Sequence, residues 1–224
     1  MKSRHLLLLS FVASVVYLVA STAVASDWLV VFKVASIAIL AWLGFRVGKL
    51  LGAALTFGAI GDFLLGVHRI GSFDAERLFL FGLGAFLVGH LVYIALFLGF
   101  LPRNWARHGF LRELGVLAVL VTLWMVLATL QHALGPLLIA VIIYALVLAT
   151  MAITALLAEF GNTLPAIGAL CFVASDAMLA IAKFHGAFAG HGPLIWITYY
   201  AAQSLIFLGV TRSAMGCRSR KQAA

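Results

Sequence analysis

Eight long apolar runs make up most of this sequence and restrict it to a bundle of membrane-spanning helices. Each run has roughly 17–23 residues, enough for an α-helix to cross a hydrocarbon core of about 30 Å at 1.5 Å per residue. The sequence therefore predicts an all-α, polytopic membrane protein with eight transmembrane helices. The runs are Leu6–Ala25, Trp28–Phe45, Leu50–Val67, Leu78–Phe100, Leu114–Leu130, Leu137–Ala158, Leu164–Phe184 and Leu194–Val210.

The composition supports this class and argues against a nucleic-acid partner. Of the 224 residues, 65% are hydrophobic and 10% are charged, and a soluble domain of this size cannot bury that much apolar surface. The net charge is +8, but the basic residues lie in short loops and tails, as membrane orientation requires. Because the connections are short, we predict a single transmembrane domain over residues 1–224, with a basic cytoplasmic tail at 212–224.

The first apolar run also has features of a signal peptide. Lys2 and Arg4 precede the apolar residues, and the small residues Ala23–Ala25 follow them. The apolar part approaches 20 residues, however, and is longer than the usual hydrophobic region of about 7–15 residues. We therefore predict that this run is retained as the first helix.

The distribution of Lys and Arg predicts the orientation in the membrane. If the N-terminus is cytoplasmic, four of the 15 basic residues fall on the outer side, which leaves eleven on the inner side. The four are Lys33, Arg69, Arg77 and Lys183. This asymmetry favours an even number of helices with both termini in the cytoplasm, in a bacterial inner membrane.

Two carboxylates interrupt the apolar runs. Asp62 lies in Gly61–Leu65 of the third run, and Asp176 lies in Ser175–Leu179 of the seventh. An ionisable group inside a span costs about 3 kcal/mol or more and is by default a candidate functional group. The alternative is a structural Asp that forms hydrogen bonds with neighbouring helices. The similar local sequences, four helices apart, suggest a parallel repeat of four plus four helices.

Both Asp residues lie in the outer half of their predicted helices, so one cavity could hold both. We predict that Asp62 and Asp176 are a catalytic pair whose carboxyl groups lie about 4–9 Å apart, as in carboxylate-pair hydrolases. Two close carboxyl groups away from bulk water tend to divide into one acid and one base at neutral pH.

Other polar side chains in the spans are candidates for substrate binding. Lys33 has three open interpretations: it pairs with a carboxylate, binds a lipid phosphate, or extends to the membrane surface. His90 and Tyr93 share a helix face, as do Tyr199 and Gln203. For any one of them, an interhelical hydrogen bond of about 0.6 kcal/mol is the simpler explanation. The full candidate set is Lys33, His90, Tyr93, Tyr144, Ser175, Tyr199, Tyr200 and Gln203.

No motif in the sequence predicts a metal or an organic cofactor. There is no Walker loop, no His-Glu-x-x-His motif and no Cys pair with metal-ligand spacing. A Gly-x-Ser-x-Gly nucleophile motif is also missing. The two cysteines, Cys171 and Cys217, are predicted to be free thiols.

Taken in order along the chain, several short motifs resemble those of the YhhN family of eight-helix membrane proteins, which includes lysoplasmalogenases. One position departs from the family, where the Lys of the second helix is often followed by Pro but here by Val34. The resemblance rests on Lys33, Gly61–Leu65, Phe86–Tyr93, Tyr144 with Met151, Gly168–Ala180 and Tyr199–Gln203.

The resemblance implies hydrolysis of the vinyl ether bond of lysoplasmalogens to a fatty aldehyde and a glycerophospho-base, without a metal or cofactor. It also implies that Asp62 and Asp176 are catalytic. A vinyl ether hydrolyses by carbon protonation and attack of water, which needs one acid and one carboxylate, as in glycosidases. The substrate would be a lysophospholipid that enters from the bilayer.

Two other functions remain open at the level of sequence. An intramembrane aspartyl protease also uses two helix-borne Asp residues, but its Gly-x-Gly-Asp and Tyr-Asp signatures are altered at Ala59–Asp62 and at Ser175–Asp176. A non-catalytic transporter or lipid-binding protein would use the Asp pair to bind protons or a cationic head group.

Overall fold

The computed structural model of the protein describes residues 2–24, 28–67, 74–102 and 109–223. Within these residues there are eight α-helices, one short 3₁₀ helix at Gly135–Leu137 and no strand. All eight helices are long and apolar enough to cross a membrane, which confirms the predicted helical class. The helices are α1 (Lys2–Ala23), α2 (Leu29–Val47), α3 (Lys49–Val67), α4 (Ala75–Leu98), α5 (Phe110–Leu130), α6 (Leu138–Leu157), α7 (Leu164–Phe184) and α8 (His191–Ala223).

The helix bounds follow the apolar runs closely at α7 and depart from them at α8. Helix α7 has the predicted bounds, and its first turn contains Pro165, at a position where the missing N–H is not needed. Helix α8 continues beyond Val210 to Ala223, so the predicted tail at 212–224 is helical through residue 223. Hydropathy marks the apolar part of a helix, whereas the residues beyond Val210 contain no Pro and many good helix formers.

The predicted orientation and the four-plus-four repeat stay predictions. Three residues that contribute to the charge count, Arg69, Arg103 and Arg107, lie outside the described residues. The chain forms two compact units, residues 1–93 and 94–224, and the boundary falls within α4. The predicted single domain also stays a prediction.

In the first unit, α2 and α3 form a tight helical hairpin. Gly48, in an extended conformation, is the single residue between the two helices. Gly44 and Gly52 let the backbones approach closely: a Cβ atom added to Gly44 would lie 3.1 Å from the Gly52 Cα. Helix α1 joins the hairpin through the Ser10 hydroxyl, which donates to the Ser36 carbonyl at 2.7 Å.

Helix α4 packs on α3 at glycine positions beside Asp62. A Cβ atom at Gly61 would lie 2.6 Å from the ring of Phe86. One at Gly89 would lie 3.3 Å from the Ala54 carbonyl oxygen. Small residues of this kind permit the close helix contacts that stabilise membrane bundles. The backbone next to Asp62 is therefore fixed on the side that faces α4.

In the second unit, α7 and α8 pack closely at Gly168, where an added Cβ would lie 2.9 Å from the Ala202 carbonyl oxygen. The loop before α7 is attached to α8 by hydrogen bonds. The Asn162 amide donates to the Gly209 carbonyl at 3.1 Å and to the Ser213 hydroxyl at 3.2 Å. These contacts fix the register of α7, and therefore the position of Asp176, against α8.

Candidate functional site

The first candidate group surrounds Asp62 in the unit of residues 1–93. Asp62 is only 1% exposed, although it lies in a helix apolar enough to span a membrane. Its Oδ1 atom accepts from the Lys33 ammonium at 2.9 Å. Lys33 lies in the first turns of α2, and its side chain is 19% exposed. The buried carboxylate is thus paired with a cation supplied by the other arm of the α2–α3 hairpin.

The structure places the Lys33 ammonium on the Asp62 carboxylate, which is one of the three predicted alternatives. The predicted role of Lys33 in substrate binding stays a prediction. A buried charge without a partner is strongly unfavourable, and removal of one member of a buried pair costs about 3–5 kcal/mol. A substitution of either Lys33 or Asp62 is therefore expected to affect the other residue as well.

His90 and Tyr93, one turn apart on α4, belong to the same unit as Asp62. Both side chains are buried, and the close contact of Gly89 with α3 lies in the same turn of α4. The predicted shared face is therefore an inward face. Their predicted role in substrate binding stays a prediction.

The second candidate group surrounds Asp176 in the unit of residues 94–224. Asp176 is partly buried on α7, and its Oδ2 atom accepts a hydrogen bond of 2.5 Å from the hydroxyl of Tyr144 on α6. Tyr144 is itself buried. Both residues are candidates from the sequence, but their contact was not predicted. A hydrogen bond can form between a phenol and a carboxyl group in either protonation state of the acid. The phenol donates to an ionised carboxylate, and either group can donate when the acid is protonated.

Ser175, next to Asp176, makes a contact that fits a structural role. Its buried hydroxyl donates to the Ile195 carbonyl of α8 at 3.1 Å. A serine that bonds a neighbouring backbone in this way contributes to helix packing. The predicted substrate contact of Ser175 stays a prediction.

The aromatic residues of α8 pack within the same unit. The Gln203 amide donates to the Tyr199 hydroxyl at 3.2 Å, as their i, i+4 spacing predicts. The ring of Trp196 packs on both Tyr199 and Tyr200, with centroids 5.7 and 5.9 Å apart. Trp196 was not among the predicted residues, although its i, i+3 and i, i+4 spacing to these tyrosines was the available signal. Phe172 of α7 meets Tyr199 edge to face.

In each of the two groups, the carboxyl group is held by a side chain from a neighbouring helix. Asp62 is held by an ammonium and Asp176 by a phenol. That both Asp residues face one cavity stays a prediction, because the structure describes each group within its own unit.

Comparison with known proteins gives one family and two named relatives. The sequence model of the YhhN family matches residues 28–210. Proteins named lysoplasmalogenase from Mycobacterium bovis and Mycobacterium tuberculosis are each 36% identical to this chain over 158 residues. Each match covers 70% of this chain and 58% of the relative, so the chain spans little more than half the length of these relatives. No solved structure shows a significant match. Because the family match covers most of the chain, the protein belongs to the YhhN family.

Proposed function

We propose that this protein is a membrane-embedded hydrolase that cleaves the vinyl ether bond of lysoplasmalogens. The support from comparison is the name lysoplasmalogenase of the two mycobacterial relatives. The support from structure is a carboxylate, Asp62, that is almost fully buried inside a span-capable helix and held there by Lys33. Ionisable groups in such positions mark functional sites by default.

The chemistry of the substrate explains why two carboxyl groups would be needed. A vinyl ether takes up a proton at carbon, which gives an oxocarbenium ion, and water then adds to the cationic carbon. The resulting hemiacetal breaks into a fatty aldehyde and a glycerophospho-base. One carboxyl group supplies the proton and the other stabilises the cation and accepts the proton of water, the same division of roles as in glycosidases. The scheme requires neither a metal nor a cofactor.

The substrate class also fits a protein with this many span-capable helices. A lysoplasmalogen has one alkenyl chain and a polar head group, so it can enter the protein sideways from the bilayer. The eight span-capable helices provide the surface for such entry. We further propose that the protein lies in the bacterial inner membrane with both termini cytoplasmic, from the asymmetry of its basic residues. A reporter fused after Ala224 would contradict this orientation if it were active only outside the cytoplasm.

Lysolipids that differ only in the bond at the glycerol backbone provide the test. Purified protein in detergent would be given vinyl ether, ester and alkyl ether forms with the same head group and chain length. We expect aldehyde from the vinyl ether, and no product from the alkyl ether. A folded protein that releases no aldehyde from vinyl ether lysolipids of either choline or ethanolamine would overturn the proposal.

The ion pair itself favours one second candidate, a proton-coupled lipid transporter. Charged pairs inside spans also occur in proton pathways, and the Lys33–Asp62 pair is of this kind. A transporter would move intact lysolipid between the leaflets of a vesicle and leave its vinyl ether bond uncut. The assay above therefore separates the two functions.

A further inference from the structure

We infer that the end of the first unit at which α2 passes into α3 binds the phosphate group of an anionic phospholipid. Arg46 is its main ligand, and Lys49 and Arg4 are further cations at the same end. Asp62 follows Lys49 by 13 residues, so the site lies about 20 Å along α3 from that carboxylate. It is a second lipid site, outside the candidate group at Asp62, and it goes beyond the proposed function.

Arg46 lies in the last turn of α2, over the ring of an exposed tryptophan. Its guanidinium carbon is 5.6 Å from the centroid of the Trp42 ring, within the range of a cation–π contact. Trp42 is one turn earlier on α2 and is 60% exposed. The contact restricts the Arg46 side chain, which reduces the freedom that it loses when a ligand binds. The five N–H donors of a guanidinium form a fork that matches two oxygen atoms of a phosphate.

Lys49 brings a second cation to the same turn. It begins α3 and follows Arg46 by three residues across Gly48, so the two Cα atoms are at most about 11 Å apart. Both side chains are exposed. The start of a helix is the positive end of its dipole, so α3 itself does not stabilise the charge of Lys49. An anion between two such cations would be attracted to both.

Arg4 lies at this end of the unit because α1 is antiparallel to α2. The Ser10 hydroxyl of α1 contacts the Ser36 carbonyl of α2. Parallel helices with this contact would place Ala23 and Leu29 about 30 Å apart, beyond the roughly 22 Å that six residue steps can span. In the antiparallel arrangement, the chain from Ser10 back to Arg4 runs toward the α2–α3 turn. The Arg4 side chain is exposed.

No carboxylate offsets these cations in the described part of the first unit. Its acidic residues are Asp62, which pairs with a lysine inside the bundle, and Asp74 and Glu76. The last two lie at the start of α4. The contacts of Gly61 and Gly89 require α4 to be antiparallel to α3, so this start lies at the opposite end of the unit. The ion pairs among the described residues do not include the three cations of the proposed site.

The side chains around the turn suit a lipid rather than a soluble anion. Trp42 and Phe45 on α2 and Leu50 on α3 are exposed, although they belong to helices apolar enough to span a membrane. Trp is common at the level of the lipid head groups, and basic residues beside a span attract anionic head groups. Cations next to exposed apolar side chains can contact the phosphate and the acyl chains of one lipid. Phosphatidylglycerol fits better than phosphatidylcholine, whose head group already contains a cation.

Quenching of Trp42 fluorescence by brominated lipids tests the site directly. Purified protein would be reconstituted in phosphatidylcholine bilayers with increasing fractions of brominated phosphatidylglycerol or brominated phosphatidylcholine. Because the chain has five Trp residues, the Trp42 signal is the difference between each protein and the same protein with Trp42→Phe. We expect the anionic lipid to quench Trp42 at a mole fraction about fivefold lower or more, the weight of one basic residue near an anionic surface.

Substitutions assign this preference to the cations. Arg46→Gln should remove most of it, whereas Arg46→Lys should keep part, because lysine retains the charge and loses the planar fork. The double variant Arg46→Gln/Lys49→Gln should quench equally with the two lipids. The matched control is Arg77→Gln, which removes an arginine whose side chain is 80% exposed at the start of α4, at the opposite end of the unit. It should leave the preference unchanged.

Equal quenching of Trp42 by the two brominated lipids in the unaltered protein would overturn the inference, as would an unchanged preference in the folded double variant. If the double variant does not fold, an unchanged preference in Arg46→Gln decides against the site. Excess inorganic phosphate, compared with chloride at equal ionic strength, should not reduce the preference. A reduction would show that the site takes a free anion and would overturn its assignment to a lipid. No measurement here uses turnover, so the proposed function can fail while this site stands.

Discussion

The two carboxyl groups of this protein lie in similar local sequences and in different surroundings. Asp62 is almost fully buried and bound to an ammonium, whereas Asp176 is partly buried and bound to a phenol. In both cases the partner comes from the helix that precedes the Asp in the chain, α2 for α3 and α6 for α7. Similar local sequences therefore do not determine which side chain pairs with an acid inside a helix bundle, since that partner comes from a neighbouring helix.

The largest expected effect is on turnover in the two Asp variants. Asp62→Asn and Asp176→Asn each keep the size of the side chain and remove one role, so each should lose about two orders of magnitude or more in aldehyde release. The double variant should lose less than the product of the two losses, because groups that act as a unit are not additive. Release of aldehyde from a purified vinyl ether lysolipid is the measurement.

The matched control for both is Asp74→Asn. Asp74 is exposed, pairs with Arg77 and accepts from the Glu76 amide at the start of α4, a contact that Asn can keep. The turnover of the Asp74→Asn variant should equal that of the unaltered protein. Near-normal turnover in either Asp62→Asn or Asp176→Asn, with folding verified, would remove that residue from the mechanism.

The next largest effect is on stability and tests the ion pair at Asp62. Lys33→Met leaves a buried carboxylate without its cation, so the free energy of unfolding should fall by about 3–5 kcal/mol. Unfolding in mixed micelles, followed by circular dichroism against the mole fraction of sodium dodecyl sulfate, gives this value. The double variant Lys33→Met/Asp62→Asn should recover most of the loss, and a double variant as unstable as Lys33→Met would contradict a pairing role.

The corresponding change at Asp176 should be smaller. Tyr144→Phe removes one hydroxyl and no charge, so the free energy of unfolding should fall by about 0.5–1.5 kcal/mol, as for a hydrogen bond between neutral groups. A loss equal to that of Lys33→Met, in the same micelle titration, would show that the carboxyl group at Asp176 depends on its partner as strongly as that at Asp62 does. The distinction between the two groups would then fail.

The smallest effect is expected at Ser175, beside the second carboxyl group. Ser175→Ala removes the hydrogen bond to the Ile195 carbonyl, and interhelical bonds of this kind average about 0.6 kcal/mol in membranes. Turnover should stay within about twofold of the unaltered protein, since Ala keeps the small volume next to Asp176. A loss of turnover close to that of Asp176→Asn would instead place Ser175 in contact with substrate.

Local sequence predicted the fold because the bilayer makes length and hydropathy decisive. The eight runs became eight span-capable helices, and the bounds of α7 were predicted to the residue. The C-terminal end of α8 was not predicted, because the residues after Val210 are less hydrophobic but still favour a helix. Among the candidate site residues, pairing of Lys33 with a carboxylate was one of three predicted alternatives, but the sequence did not show that Asp62 is the partner, and it did not predict the Tyr144–Asp176 contact. Each joins positions about 30 residues apart on different helices, and periodicity within one helix carries no information on such pairs.

The single-residue connection at Gly48 has a consequence for the biosynthesis of the protein. A hairpin this tight favours entry of α2 and α3 into the bilayer together, as one inserting element. Lys33 lies 15 residues before Gly48 and Asp62 lies 14 residues after it, so the two arms bring the charges to the same depth. A single charge adds up to about 2.5–3.5 kcal/mol to the insertion of a helix, the value at its centre, and Lys33 and Asp62 lie closer to the helix ends, where the cost is smaller. Inserted as a pair that is already neutralised, neither helix has to meet that penalty by itself.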